Sequence, residues 1–272
     1  MGELKPICGE SMKGKQIKST HKKVKDISTT RPLDLLHMDL MGPMLIESRG
    51  KKRYVLLGVD GFLRYSFVSF LRKKSETIEP FKSLFIRIQV KISQWIANIK
   101  GDKGREFDKV DVDLFCESKG IKHEFLALRT PQHNEVAERK NIVLQVMARV
   151  MIHMHNTFMQ FWVEAIKTAC YIANRVFLRP GTTKTSYELW TMRKPNLKYF
   201  RTFGSECYIL KDGENLGMFD VKSDVGFFLG YSITGEAHRV YNQNSQIIQE
   251  SSNVVINNNG YDQDIIENQI LT

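Results

Sequence analysis

The sequence predicts an α/β chain in which helices flank a mixed sheet and a small β-barrel follows. Three features predict it. Apolar runs in a meander open the ordered part, helix and strand signals then alternate, and after Pro195 short apolar runs divided by Gly, Asp and Asn replace the helices. The 272 residues suffice for one large domain and a smaller one, and the 42% hydrophobic content suffices for a packed core.

In chain order, residues 1–30 are polar and Lys-rich (Lys13, Lys15, Lys18, Lys22, Lys23, Lys25) and read as a flexible basic arm. Leu33–Leu40 is an apolar strand closed by Gly42-Pro43, which puts Asp39 near its end. Tyr54–Val59 and Tyr65–Leu71 are strands joined at Asp60-Gly61. Ser75 is placed to cap the next helix, where Ile78, Phe81, Leu84, Phe85 and Ile88 recur at helical spacing. Trp95–Ile99 is a strand that runs into Lys100-Gly101-Asp102. Val110–Ser118 is a helix stopped by Gly120, and Ile121–Leu128 is a strand. From Glu135 a long helix begins, with Val136, Val143, Met147, Val150, Met151 and Met154 as its expected buried face; a second helix covers about 160–177. The barrel strands are expected at Cys207–Leu210, Val225–Tyr231, Arg239–Tyr241, Gln246–Ile248 and Val254–Ile256. The domains expected are thus a basic arm (1–30), an α/β core (31–195), a barrel (196–258) and a polar tail (259–272) that frays.

A net charge of +10 favours polyanions such as nucleic acid or an acidic membrane face, the alternative being a protein that is merely basic. Cys8, Cys116, Cys170 and Cys207 are scattered without a C-x-x-C pair, which speaks against a disulfide framework and for a reducing compartment. No apolar run approaches membrane-spanning length, so no membrane association is expected.

Chemistry points to three acids. Asp39 and Asp102 stand at strand ends, and Glu138 stands in the first turns of the long helix. Magnesium takes hard oxygen ligands, and two ions held by a few carboxylates can activate an attacking oxygen and stabilise a leaving one in phosphodiester chemistry. For each acid the alternative is a solvated surface carboxylate. Asp60, a rival first acid, is expected to be structural. Asn134, Arg139 and Lys140 beside Glu138, and Lys103 beside Asp102, are candidate nucleic-acid contacts; for Arg139 and Lys140 a solvated helix face is an equal alternative. His153 and His155, two apart on a helix, point to different faces and are not expected to bind metal. Phe158, Phe161 and Trp162 are expected to be core.

The segments around these acids resemble the integrase of copia-type retrotransposons, a relative of retroviral integrases. His37-Met38-Asp39-Leu40-Met41-Gly42-Pro43 resembles the stretch around that family's first catalytic aspartate, and Lys100-Gly101-Asp102-Lys103-Gly104-Arg105-Glu106-Phe107 the second. Thr130-Pro131-Gln132-His133-Asn134-Glu135-Val136-Ala137-Glu138-Arg139-Lys140-Asn141 resembles the stretch with the catalytic glutamate. The 35 residues between Asp102 and Glu138 match the family's spacing. Phe161–Ala165, Tyr171–Arg175 and Phe219–Ser232 also fit, the last resembling the family's SH3-like domain. The resemblance implies a ribonuclease-H-like core and an SH3-like barrel. It also implies two Mg²⁺ or Mn²⁺ ions on Asp39, Asp102 and Glu138, DNA-end processing and strand transfer, a homo-oligomer, and work in the nucleus.

This chain departs from that pattern. Gly101, Lys103 and Arg105 replace the family's usual Ser, Asn and Gly, and Glu135 replaces a glycine. Cys8-Gly9-Glu10-Ser11 resembles the end of a His-His-Cys-Cys zinc module in which Ser11 has displaced a ligand, so no zinc is expected. The departures leave two main readings: an integrase, or a non-catalytic nucleic-acid-binding descendant with the same fold; a third, a ribonuclease that cuts RNA in an RNA–DNA hybrid, is permitted by the acids and disfavoured by the long helices after Glu138 and the barrel after Pro195.

Overall fold

The computed structural model describes residues 29–101, 109–125, 134–154, 157–211, 219–232 and 235–257. The Lys-rich arm, Cys8 and Ser11, Asp102, Lys103, Arg105, Thr130–His133, His155 and the polar tail lie outside the described residues.

Three apolar runs form the meander: β1 (Leu35–Met41), β2 (Tyr54–Asp60) and β3 (Ser66–Leu71), paired antiparallel. A helix, α1 (Ile78–Ile92), carries the chain to β4 (Asn98–Gly101), which pairs parallel to β1. A second, α2 (Lys109–Ser118), leads to β5 (Lys122–Phe125), parallel to β4. The sheet order is β3-β2-β1-β4-β5. Two helices complete this part, α3 (Glu135–Met154) and α4 (Trp162–Val176).

The period of two along β1 and β2 divides the core. Leu36, Met38 and Leu56 face α1 and α2, packing with Phe81, Leu84, Phe85, Ile88 and Cys116. Leu57 and Val59 face the other way, against Leu144, Ala169, Cys170 and Ala173 of α3 and α4. Met41 and Val55 join that second side. Asp39, between His37 and Met41 on β1, therefore points toward α3. Asp60 is fully buried and has the structural role expected of it: its carboxylate accepts hydrogen bonds from the backbone of Leu33 (2.8 Å) and Leu63 (2.5 Å), and burial holds its pKa above the ordinary carboxylate value.

Two local expectations change. Ser75 lies in a 3₁₀ turn (Lys74–Glu76) rather than capping α1; the residue before α1 is Thr77, which makes no capping bond because its hydroxyl donates back to the Lys74 carbonyl. The buried face of α3 is Ala137, Asn141, Leu144, Ala148 and Ile152, while Val143, Val146, Val150 and Met154 are exposed. A short helix not anticipated, α5 (Ser186–Thr191), opens with a capping box between Thr185 and Glu188 and stacks Trp190 on Tyr65 at 4.7 Å. In the aromatic cluster Phe161 and Trp162 are core, whereas Phe158 is exposed.

The C-terminal strands are β6 (Glu206–Leu210), β7 (Ser223–Tyr231), β8 (His238–Asn242), β9 (Ile247–Ser251) and β10 (Val254–Ile256), all antiparallel in the order β10-β6-β7-β8-β9. The two outer strands, β9 and β10, are joined by Ser252 and Asn253 alone. Opposite edges of a sheet can lie that close along the chain only if the sheet curls on itself, which is the geometry of a small barrel. Phe203, Leu229 and Tyr241 of this part pack with Phe161, Trp162 and Ile166 of the α/β part in one apolar cluster.

Candidate functional site

The site assembles where β1, β4 and α3 meet. Met38 pairs with Gly101 across the parallel β1–β4 ladder, so β4 ends beside the Asp39 end of β1. Asp102 and Lys103 themselves are outside the described residues.

Two asparagines tie α3 to β1. Asn134, buried just ahead of the helix, donates its side-chain amide to the Met38 carbonyl at 2.9 Å, and its own carbonyl accepts the N–H groups of Ala137 (3.0 Å) and Glu138 (3.1 Å). It thereby starts the helix and fixes that start against the strand. Asn141, also buried, donates its amide to Asp39 Oδ2, and Asp39 Oδ1 accepts from Leu40 N at 2.9 Å. The structure thus joins Asp39 to the helix that carries Glu138. Glu138 stands three residues before Asn141, about one turn along the same side of α3, and is exposed. The side-chain carbonyls of Asn134 and Asn141 are buried and have no hydrogen-bond partner among the described residues. No cluster of three or more His, Cys, Asp or Glu able to hold a metal occurs among the described residues.

The cationic candidates lie differently. Arg139 forms an exposed ion pair with Glu135 one turn earlier, so each charge is offset locally. Lys140 is half-buried near Cys170 and Arg64; burial pushes its ammonium pKa down, and the Arg64 charge adds to that. His37 is buried on the Asp39 side of β1. His153 is exposed.

Sequence reasoning gave no role to Asn141. The available signal was a helical amide three residues after the catalytic candidate, on the side that must face the sheet. It was obscured because a buried polar residue reads as surface until its partner is known.

The sequence matches the family described as the retroviral polymerase SH3-like domain over residues 205–269. It is 30% identical over 223 residues to a retrovirus-related Pol polyprotein from transposon TNT 1-94 of Nicotiana tabacum, covering 82% of this chain and 17% of the relative. A retrovirus-related Pol polyprotein from transposon RE1 of Arabidopsis thaliana is 28% identical over 212 residues, covering 78% of this chain and 14% of the relative. The chain thus spans less than a fifth of the length of these relatives. Among solved structures, the HTLV-2 integrase catalytic core domain in complex with magnesium is similar with a TM-score of 0.45 and 19% identity, over 58% of this chain and 95% of that one. The chain is homologous to the integrase-like region of copia-type, retrovirus-related Pol polyproteins, with a ribonuclease-H-like α/β core followed by a retroviral SH3-like domain.

Proposed function

We propose that this chain is an Mg²⁺-dependent polynucleotidyl transferase that processes DNA ends and joins them to a second duplex. One observation carries the reading: the Asp39 carboxylate, on the central strand of the core, is held by Asn141 of the helix that also carries Glu138, while β4, whose last residue Gly101 precedes Asp102 in the sequence, pairs with β1 at Met38. Asp39, Asp102 and Glu138 would hold the metal. When bound, magnesium supplies a more acidic attacking oxygen and compensation of charge on the leaving one. Asn141 positions the Asp39 carboxylate, and Asn134 anchors the first turn of α3 so that Glu138 keeps a fixed place relative to β1. In end processing a water oxygen attacks a backbone phosphorus and a 3′ hydroxyl is released. In joining, that hydroxyl attacks a phosphorus of the second duplex, one P–O bond forming as another breaks. DNA is the partner this chemistry takes and the charge of +10 favours, the working form would be a homo-oligomer, and the working compartment would be the nucleus.

The Glu135–Arg139 pair bears on the departures from the family. An added carboxylate one turn before Glu138 would repel DNA phosphate, yet its charge is neutralised in place. A second reading, a DNA-binding descendant without catalysis, draws on Lys103 and Arg105, which follow Asp102 in the sequence and whose positive charge would offset the acids in place of metal.

The test is strand transfer with pre-processed DNA ends under Mg²⁺ and Mn²⁺, comparing wild type with Asp39→Asn and Glu138→Gln. Joining by wild type and its loss in both variants is expected. Folded wild-type protein that binds DNA in a salt-dependent way but joins none of it would sink the first reading and leave the second.

A further inference from the structure

The outer edge of β3 lies in a trough. The antiparallel ladder with β2 uses alternate residues of β3: Asp60 N–H reaches the Tyr65 carbonyl at 2.9 Å, and the same alternation directs Phe67 and Ser69 inward. Ser66, Val68 and Phe70 therefore turn their N–H and C=O groups outward. At Ser66 the side chain of Asn174 from α4 meets both of them, accepting from Ser66 N and donating to Ser66 O at 2.9 Å each. That amide makes the pair of bonds a neighbouring strand would make. Next to it, the outward groups of Val68 and Phe70 have no partner among the described residues.

The trough has a volume of about 880 Å³. α1 contributes Arg87, Ile88 and Lys91 to its lining, α4 contributes Lys167, Tyr171 and Arg175, and the SH3-like domain contributes Ile247 and Ile248 of β9. Its electrostatics are one-sided. Glu164, a lining carboxylate, is already shared by Arg239 (2.9 Å) and Lys167 (3.2 Å). Arg87, Lys91 and Arg175 have no carboxylate partner among the described residues, and Arg175 is fixed over the rings of Tyr171 (3.4 Å) and Tyr187 (4.1 Å). Burial and the neighbouring Arg175 and Arg87 charges lower the Lys91 pKa, as expected of cations crowded together without a counter-charge.

We propose that this trough is a strand-addition site for an extended acidic peptide of a partner protein. The peptide backbone would pair with Val68 and Phe70, and its carboxylates would meet Arg87, Lys91 and Arg175. An unpaired strand edge attracts exactly one kind of partner backbone geometry, an extended one, and the uncompensated cations select its charge. Nucleic acid shares the charge preference but has no use for an open strand edge in a largely apolar trough.

The probe is a fluorescent ten-residue peptide alternating glutamate and valine, titrated into the full chain, with amide hydrogen exchange read at Val68 and Phe70. Expected are saturable binding, slowed exchange at both amides, and an affinity about tenfold weaker in Val68→Pro, which deletes an outward N–H. Because that proline could disturb the fold, Arg87→Glu with Lys91→Glu is measured in parallel and is expected to weaken binding as much or more, while the matching lysine–valine peptide does not bind wild type. Absence of peptide binding, binding without protection of the two amides, or protection of those amides by a short DNA duplex in place of the peptide would overturn the proposal.

Discussion

Replacing Gly230 by alanine should loosen the joint between the core and the SH3-like domain. The β7–β8 register shifts between Phe228 and Gly230, so Leu229 sits in a bulge and its carbonyl leaves the ladder. Thr168 of α4 takes up that carbonyl with its hydroxyl at 2.9 Å. Gly230 has φ +137°, and a Cβ added there would lie 2.2 Å from Thr168 Oγ1. Three costs then combine. The left-handed backbone costs about 1–2 kcal/mol for a residue with a side chain, the overlap about 1–3 kcal/mol, and the displaced hydrogen bond about 1 kcal/mol. The sum, about 3–6 kcal/mol, is a large part of the 5–15 kcal/mol typical of a domain, so the urea midpoint should fall steeply. Adding Thr168→Ala removes the clashing oxygen and should return about 1–3 kcal/mol of the loss, whereas Thr168→Ser keeps the oxygen and should return almost none. A Gly230→Ala protein within about 0.5 kcal/mol of wild type, or equal rescue by alanine and serine, would refute the reasoning.

Three further outcomes are expected. Arg239→Ala leaves the buried Glu164 with Lys167 as its remaining cation and should cost about 2–4 kcal/mol, with Arg239→Lys recovering only part because a point charge cannot also reach Glu250; a urea-measured loss below about 0.5 kcal/mol would contradict this. Asn141→Ala removes one hydrogen bond from the Asp39 carboxylate and should weaken Mg²⁺ binding, measured by calorimetry, by about 10–100-fold; an unchanged affinity would remove Asn141 from the site. Burial lowers the pKa of both His123 and His238 in the folded chain, the Asp113 contact of His123 offsetting only part of it. Below the ordinary value of about 6.5 the unfolded chain takes up protons first, so stability should fall as pH drops through about 6.5 and on toward the folded pKa values. His238→Phe should flatten that slope between pH 7 and pH 5, and a slope as steep as wild type would exclude His238 as a contributor.

Much of the fold was legible because its elements are locally consistent. β1 and β2 were readable from largely apolar runs followed by Gly42-Pro43 and Asp60-Gly61, and β3 from the largely apolar run Tyr65–Leu71; the observed limits of all three lie within two residues of those expected at each end. The buried face of α3 was legible in part: Val136, Met147 and Met151 pack against the core as expected, and Val143, Val150 and Met154 do not. That helix carries apolar residues on more than one side, and periodicity reports that stripes exist without saying which one a neighbour covers. The stripe actually covered contains two alanines and Asn141, so the more hydrophobic-looking Val143, Val150 and Met154 were left outside. The helix at Ser186–Thr191 carries a Thr-x-x-Glu start in the sequence, but at six residues it is too short to show a helical period. At the site, Asp39 and Glu138 were visible as acids in suggestive contexts, but nothing local marks Asn134 or Asn141 as the residues that bind strand to helix.

The sequence by itself determined the types and order of the elements, the basic character and the acidic candidates, because each depends on neighbours a few residues away. Only the tertiary structure decided which groups meet. Asn141 reaches Asp39 across 102 positions, Asn134 reaches Met38 across 96, and β10 crosses to β6 to curl the C-terminal sheet. Such pairings are settled by which apolar faces cover one another and by where the backbone groups left over find partners, and those conditions exist only once the chain has closed on itself.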